Sequence, residues 1–167
     1  MAEVPVIYCQ VFNYRANGLV NENSRGISSL PPLELQIAAW KQIDPKLQSI
    51  GAILGEGHEE LIAEATRAAA AHDIELHVRT VSSDRETQYV FNRLVSDIDG
   101  FWLFPDNRVL STTVLRYMVD YAARRRVQVA VFNESLLNLG ASLSSSAIEA
   151  DIAQTITILI LDPAIIE

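Results

Sequence analysis

The chain has 167 residues and 49% of them are hydrophobic, which suits one domain or one lobe of a larger protein. Its formal net charge is −8, and this acidity argues against nucleic acids and anionic membranes as partners, because both are bound by basic surfaces. A single cysteine, Cys9, excludes an intramolecular disulfide, and its apolar surroundings predict a place in the core.

Strand and helix patterns alternate along the chain. A strand is predicted over residues 4–12, a polar loop over 13–30, and then a helix that begins after Pro31-Pro32 and ends at Asp44-Pro45. The elements predicted next are a strand at 49–54, a helix at 58–72, a strand at 74–81, a helix that begins at 82–84, a strand at 100–104, a helix at 111–126, a strand at 127–132, a short helical segment at 135–139, a short strand at 141–146 and a helix at 147–160 that ends by Pro163. This alternation predicts an α/β three-layer sandwich with a parallel central sheet.

The apolar patterns also predict the order of burial within that sheet. Residues 101–104 form an unbroken apolar run, which is typical of a strand buried on both faces. Residues 74–81 instead alternate between apolar and polar side chains, as a half-exposed strand does. We therefore expect strand 100–104 at or next to the centre and strand 74–81 at or near an edge.

Polar side chains follow the predicted strands, and parallel strands bring such residues to one edge of the sheet. Ligands of open α/β sheets bind in the crevice outside the carboxyl ends of the strands. The candidate ligand-binding residues at these positions are Asp106, Asn107, Asn133, Glu134, Glu56 and Gly57 and, from the other side of a cleft, Asn13 and Tyr14. Asp106 would accept a hydrogen bond from a ligand ammonium or hydroxyl group, and Tyr14 would stack on an apolar or aromatic part.

A purely structural role stays open for the same residues. Asp106 could close an Asx-turn on its own backbone or cap the helix that begins near Ser111. Glu134 could likewise cap the helical segment that follows it. Local sequence does not decide between these roles.

Motifs for catalysis and cofactors have little support. Residues 55–60 resemble a dinucleotide fingerprint, but Glu60 stands at the third glycine position, and the carboxylates of this segment would repel a pyrophosphate. The three histidines, His58, His72 and His77, lack the spacing of metal ligands, and no nucleophile elbow is present. We expect no enzyme activity, no cofactor and no metal site.

Several stretches resemble a known family. Residues 45–54 (PKLQSIGAIL) resemble the strand entry of uncharacterised ABC-transporter substrate-binding proteins, which have a periplasmic-binding-protein type I fold. Residues 99–107 (DGFWLFPDN) are similar to the family segment that ends in Asp-Asn. The further matches are residues 5–7, 17–20, 25–28, 127–134 and 139–141. By this resemblance we expect the sequence to hold only part of the family's first lobe, and it has Asn13-Tyr14 where members have Asp-Pro.

The resemblance implies a flavodoxin-like lobe of a periplasmic binding protein. It implies a single α/β domain over 1–167, with 49–139 as the core lobe and 1–48 and 140–167 as flanking segments that resemble parts of the other lobe. The implied function is non-enzymatic binding of a small solute, amino-acid-like or otherwise small and polar, with an ABC permease as a further partner. The alternative is a stand-alone dimeric interaction or sensor module of the same fold without a transported solute.

Assembly and location follow from the same comparison. Residues 1–12 and 147–161 are apolar segments that, by the resemblance, would pack on parts of a lobe that we do not expect within these 167 residues, so we expect a homo-oligomer. The resemblance implies a periplasmic location. Residues 1–12 show no signal-peptide pattern, which leaves a cytoplasmic location open.

Overall fold

A computed structural model describes residues 6–146 and 148–161, and the chain divides into two compact units. The larger one, Pro32–Ser145, is called the sheet unit here. The smaller one comprises Met1–Pro31 and Ser146–Glu167 and is called the terminal unit. The expectation of a single domain with its core lobe at 49–139 stays a prediction.

With one exception, a second strand before the first helix, the elements follow one another in the order that the sequence predicts. They are β1 (Val6–Val11), β2 (Ser24–Ser28), α1 (Leu33–Ile43), β3 (Ser49–Gly55), α2 (Glu59–Ala70), β4 (Glu75–Val81), α3 (Asp84–Leu94), β5 (Gly100–Trp102), α4 (Thr112–Arg125), β6 (Gln128–Val131), a 3₁₀ helix (Glu134–Leu139), β7 (Leu143–Ser144) and α5 (Glu149–Leu161). None of the helices in the described part of the chain has the length and hydropathy that a bilayer span requires.

Five parallel strands form the sheet of the larger unit, in the order β4-β3-β5-β6-β7. Helices α1 and α2 contact each other, as do α3 and α4. Counted from β3, the strand order is 2-1-3-4-5, which is the flavodoxin-like arrangement. The predicted α/β fold with a parallel central sheet is therefore confirmed.

The central and edge strands are those that the apolar patterns indicate. All three residues of β5 are buried, and β5 occupies the middle of the five strands. Strand β4 lies at one edge, and three of its seven residues are exposed. The rings of Phe91 and Phe101 pack edge to face beneath the sheet, with centroids 5.0 Å apart. The continuous apolar run thus marks the strand that is covered on both faces.

Residue Gly100 allows α1 to approach the central strand closely. A Cβ atom at this position would overlap the ring of Trp40, which is itself buried. The Trp40 indole Nε1 donates a hydrogen bond of 2.6 Å to Oε1 of Gln128, at the start of β6. The indole is therefore held over the bare backbone of β5 and satisfies its only polar atom in the process.

The terminal unit is built from β1, β2 and α5, and here the structure corrects two expectations. The sequence predicts a loop over residues 13–30, but Ser24–Ser28 form β2 and pair in parallel with β1. Small residues dominate β2, so its strand character comes from this pairing and not from propensity. Cys9 is exposed and not in the core, because β2 is the only strand that pairs with β1 among the described residues. Pro163 and the first two residues of the predicted strand 4–12 lie outside the described residues.

Candidate functional site

The carboxyl ends of β3 and β5 meet at the point where the strand order reverses. From β3 the chain continues to β4 on one side, and it returns through α3 to β5 on the other side. Such a switch point leaves a crevice between the two loops that leave the sheet, and ligands of open α/β sheets bind there. In this chain the two loops are those that connect β3 to α2 and β5 to α4.

Asp106 joins these two loops from a buried position, with 3% of its side chain exposed. Its Oδ2 accepts a hydrogen bond of 2.8 Å from the backbone N–H of Gly55, the last residue of β3. The same oxygen lies 2.8 Å from Nε2 of His58, which is also buried. The carboxylate therefore ties the end of β3 and the start of α2 to the loop that follows β5.

Arg108 completes the arrangement from the solvent side. Its Nε donates to Oδ1 of Asp106 at 2.9 Å, and its Nη2 donates to Oδ2 at 3.0 Å, so the guanidinium binds the carboxylate through both oxygens. Nη2 also contacts Nε2 of His58 and donates to the carbonyl of Glu56 at 3.1 Å. This two-point geometry fixes the guanidinium plane, while 55% of the Arg108 side chain stays exposed.

The absence of a side chain at Gly55 makes room for this network. A Cβ atom there would stand 2.9 Å from Oδ2 of Asp106 and 3.0 Å from Nη2 of Arg108. These distances are shorter than a carbon atom normally makes, so any larger residue would push the ion pair away from the strand end. Because Gly55 has no side chain, the Asp106 carboxylate can approach the backbone of β3 closely.

The network controls the charge of Asp106. Burial raises the pKa of its carboxyl group, but the hydrogen bonds from Arg108, Gly55 and His58 outweigh this and lower the pKa to about 2. The bond to Asp106 also raises the pKa of Arg108. Both groups are therefore ionised at neutral pH, and the exposed part of the pair is the cation.

These contacts bear on the roles considered for Asp106. Its Oδ1 also accepts a 3.3 Å bond from the backbone N–H of Arg108, so an Asx-turn contact is present. It does not cap α4, because Ser111 does so by accepting from the N–H of Val114. Both oxygens already accept hydrogen bonds from protein donors. A direct bond from Asp106 to a ligand would therefore have to displace one of these donors.

The other predicted site residues of the sheet unit occupy the same edge. Glu56, Gly57 and Asn107 are exposed beside Asp106, and Gly57 has a left-handed φ of 83° that turns the chain into α2. Asn133 follows β6 and caps the 3₁₀ helix by accepting from the N–H of Ser135 at 2.8 Å, and Glu134 is exposed in the first turn. Asn133, and not Glu134, therefore has the capping role.

Asn13 and Tyr14 belong to the terminal unit. The ring of Tyr14 stacks on that of Tyr8, with centroids 5.4 Å apart, and the guanidinium of Arg15 lies 5.7 Å from the Tyr14 centroid. Asn13 has a positive φ of 46°, and its carbonyl accepts a hydrogen bond from the side chain of Asn17. These contacts place Tyr14 in an aromatic cluster of its own unit.

Sequence reasoning missed His58 and Arg108. The sequence predicts no metal-binding role for His58 and indicates no other role, although His58 follows a predicted strand just as Asp106 does. Arg108 stands two residues after Asp106 and carries the opposite charge, and this spacing was the available signal. No group of three or more potential metal ligands occurs among the described residues.

Comparison with known proteins identifies the family. A sequence model of the family described as "ABC transporter substrate binding protein" matches residues 2–160. The chain belongs to this family. The resemblance carried by residues 45–54 and 99–107 is thereby confirmed. Among curated protein sequences, none matches the chain.

Solved structures of low sequence identity share the fold. A conserved domain protein from Vibrio cholerae has a TM-score of 0.74 and 22% identity, over 94% of this chain and 57% of that one. An ABC domain from Streptococcus pneumonia, solved in complex with L-Trp, has a TM-score of 0.74, 18% identity and the same coverages. An amino acid ABC transporter substrate-binding protein from Pseudomonas fluorescens Pf-5 has a TM-score of 0.56 and 16% identity, over 75% of this chain and 36% of that one. The chain thus spans 57% of the length of the first two structures.

Proposed function

We propose that this family member binds a small solute as part of an ABC transporter substrate-binding protein and that its role is non-enzymatic. The family match over residues 2–160 is the observation that carries the proposal. One structural neighbour is described in complex with L-Trp and another as an amino acid transporter protein. These descriptions favour an amino-acid-like or another small polar ligand.

The proposed binding place is the carboxyl edge of the sheet unit, at the switch point between β3 and β5. Arg108 supports this choice, because its guanidinium is fixed by Asp106 and still reaches solvent. A fixed guanidinium binds a carboxylate with defined geometry, as an α-amino acid requires. Asp106 would then act on the ligand through Arg108 and not by direct contact.

Exposed polar residues would complete the site around this cation. Asn107 and Asn133 carry amide groups that donate and accept hydrogen bonds, and Glu56 and Glu134 would attract a ligand ammonium. Gly57 places no side chain in the loop between β3 and α2. Asn13 and Tyr14 stay predicted ligand contacts of the terminal unit.

A ligand screen with matched variants tests this proposal. Unfolding temperatures would be measured with each of the twenty amino acids and with a set of nucleotides, followed by calorimetric titration of every hit. A ligand that binds only the folded state raises the unfolding temperature as its concentration exceeds the dissociation constant. We expect an amino acid to act in this way and Arg108→Gln to weaken its binding about tenfold, equal to about 1.4 kcal/mol.

The control is Arg67→Gln, which makes the same charge change at an exposed position in the last turn of α2. Its affinity for the solute should equal that of the wild type. Equal affinity in the Arg108 variant would show that the solute binds elsewhere. Stabilisation by nucleotides and by no amino acid would contradict the proposed ligand class.

Exposed apolar side chains of the terminal unit favour the second candidate, a self-associating interaction module. The most exposed are Leu161, Ile148, Val20 and Ile160. Exposed apolar side chains mark interaction sites where they form a patch. Association with an ABC permease and a periplasmic location belong to the proposal for the whole transporter protein and rest on family membership alone.

A further inference from the structure

The terminal unit contains a cavity that the proposed solute site does not use. It has a volume of about 240 Å³ and is partly open to solvent. Residues of β1, β2, the loop between them and α5 line it, among them Tyr8, Leu19 and Leu159. An apolar cavity of about 150 Å³ already accepts a benzene ring, so this one has room for a ring with a polar substituent.

One wall of the cavity is aromatic and held in place. The rings of Tyr8 and Tyr14 stack with an angle of 24° between their planes. Gly26 lies directly beside Tyr8 in the neighbouring strand, and a Cβ atom at Gly26 would overlap both the Tyr8 carbonyl and its ring. The missing side chain lets the Tyr8 ring lie against β2. This arrangement presents a rigid aromatic surface, which suits a planar ligand.

The polar part of the lining is positively charged, although the chain as a whole is acidic. Arg15 and Arg25 both line the cavity, and the described lining residues include no aspartate or glutamate. Nη1 of Arg25 donates to the carbonyls of Asn21 and Ser24, at 3.2 and 3.0 Å, which fixes its position. The described lining therefore contains two guanidinium groups and no carboxylate.

The pKa of the Tyr8 phenol is affected by these two arginines. Burial and the neighbouring Tyr14 raise its pKa, whereas Arg15 and Arg25 lower it, and the net change is upward. The Tyr8 hydroxyl is consequently protonated at neutral pH and can donate a hydrogen bond to an anion. Two guanidinium groups and a phenol thus offer donors in a cavity with an aromatic wall.

We propose that this cavity is a second binding site, specific for a planar aromatic carboxylate. The ring would stack on the tyrosine wall and contact Leu19 and Leu159, while the carboxylate would bind Arg15. An ammonium group would be repelled by the two arginines, so a zwitterionic amino acid fits this cavity less well than a simple aromatic acid. The proposal is independent of the solute proposed for the sheet unit, and only Tyr14 belongs to both predicted sites.

Fluorine NMR of the full chain with three probes of nearly equal shape tests the proposal. The probes are 4-fluorobenzoate, 4-fluorobenzamide and 4-fluorobenzylamine, which carry an anionic, a neutral and a cationic group. We expect saturable binding of the benzoate, about tenfold weaker binding of the amide and no saturable binding of the amine. Equal binding of the benzoate and the amine would overturn the proposal.

Variants of the chain then locate the bound probe. Arg15→Gln should weaken fluorobenzoate binding about tenfold and bring it near that of the amide, while the matched Arg67→Gln should leave it unchanged. Tyr8→Leu should weaken both benzoate and amide, and its circular dichroism would verify that the chain is folded. Arg15 is exposed, so its variant keeps the test decisive if the Tyr8 variant does not fold. Affinity that falls in Arg108→Gln and not in Arg15→Gln would place the aromatic acid at the sheet edge and overturn the proposal.

Discussion

At the scale of single residues, Asp106 shows how far position in the sequence predicts where a side chain lies in the fold. Its place after the central strand predicts the correct edge of the sheet, because parallel strands must end together. Its partners could not be predicted in the same way. His58 lies 48 residues away, and only the pairing of β3 with β5 brings it within 2.8 Å. The carboxylate was expected to face a ligand, whereas its oxygens bond to protein donors.

The lowered pKa of Asp106 predicts a specific dependence of stability on pH. With a pKa of about 2 in the folded chain and an ordinary value of 3.8 in the unfolded chain, the ionised carboxylate stabilises the fold fully above pH 4. This contribution is lost as the pH falls from about 4 to about 2 and amounts to about 2 kcal/mol. Urea unfolding between pH 7 and pH 2.5 would measure it.

Asp106→Asn should remove this pH-dependent part and lower the free energy of unfolding at pH 7 by about 3 kcal/mol, because Arg108 and His58 lose their partner. The control is Asp120→Asn on α4, whose carboxylate is exposed and pairs with Arg124 four residues later. That change should alter the free energy of unfolding by less than about 1 kcal/mol. Wild type and Asp106→Asn with parallel pH profiles would show that Asp106 does not stabilise the fold.

At the scale of elements, the sequence predicted the strands of the sheet unit well and those of the terminal unit poorly. Strands β3, β5 and β6 have apolar runs bounded by turn residues, so local pattern and final burial agree. Strand β2 carries Ser, Arg, Gly, Ile and Ser, and no local pattern distinguishes it from a loop. Its pairing with β1 is a tertiary contact, which depends on Gly26 fitting against Tyr8.

The contact between α1 and β5 gives a prediction at this scale. Gly100→Ala would place a methyl group where the Trp40 ring lies and should lower the free energy of unfolding by about 1 to 3 kcal/mol. Both tryptophans, Trp40 and Trp102, belong to the sheet unit, so fluorescence during denaturation reports on this region.

A double-mutant cycle separates steric overlap from other effects. Trp40→Phe shortens the ring that Gly100 faces, so Gly100→Ala should cost at least about 1 kcal/mol less in the Trp40→Phe background than in the wild type. Gly140→Ala is the control for replacing a glycine without steric overlap. Gly140 has a left-handed φ of 103°, so an alanine there is strained by its backbone, but its Cβ atom would lie 3.5 Å from the nearest side-chain atom. Identical costs of Gly100→Ala in the two backgrounds would mean that Trp40 does not determine the need for glycine.

At the scale of the whole molecule, the terminal unit leaves more apolar surface exposed than a small sheet and helix can cover. A two-stranded parallel sheet is unusual by itself, because parallel strands are normally covered on both faces. Helix α5 packs on both strands and buries Leu159, yet Ile160 and Leu161 stay largely exposed beside it. This combination is why self-association is expected of the chain.

Sedimentation velocity over a range of concentrations would test this expectation. We predict a reversible dimer, the commonest closed assembly, in the micromolar range, and Ile160→Ser should weaken it about tenfold by removing apolar area from the contact. Leu35→Ser is the matched control, since Leu35 is 65% exposed and lies on α1 of the sheet unit, whereas Ile160 is 62% exposed on α5. Equal weakening by both variants would show that the contact is not confined to the terminal unit. A monomer at all concentrations up to about 100 μM, where even a weak dimer of about −5.5 kcal/mol would begin to form, would contradict self-association altogether.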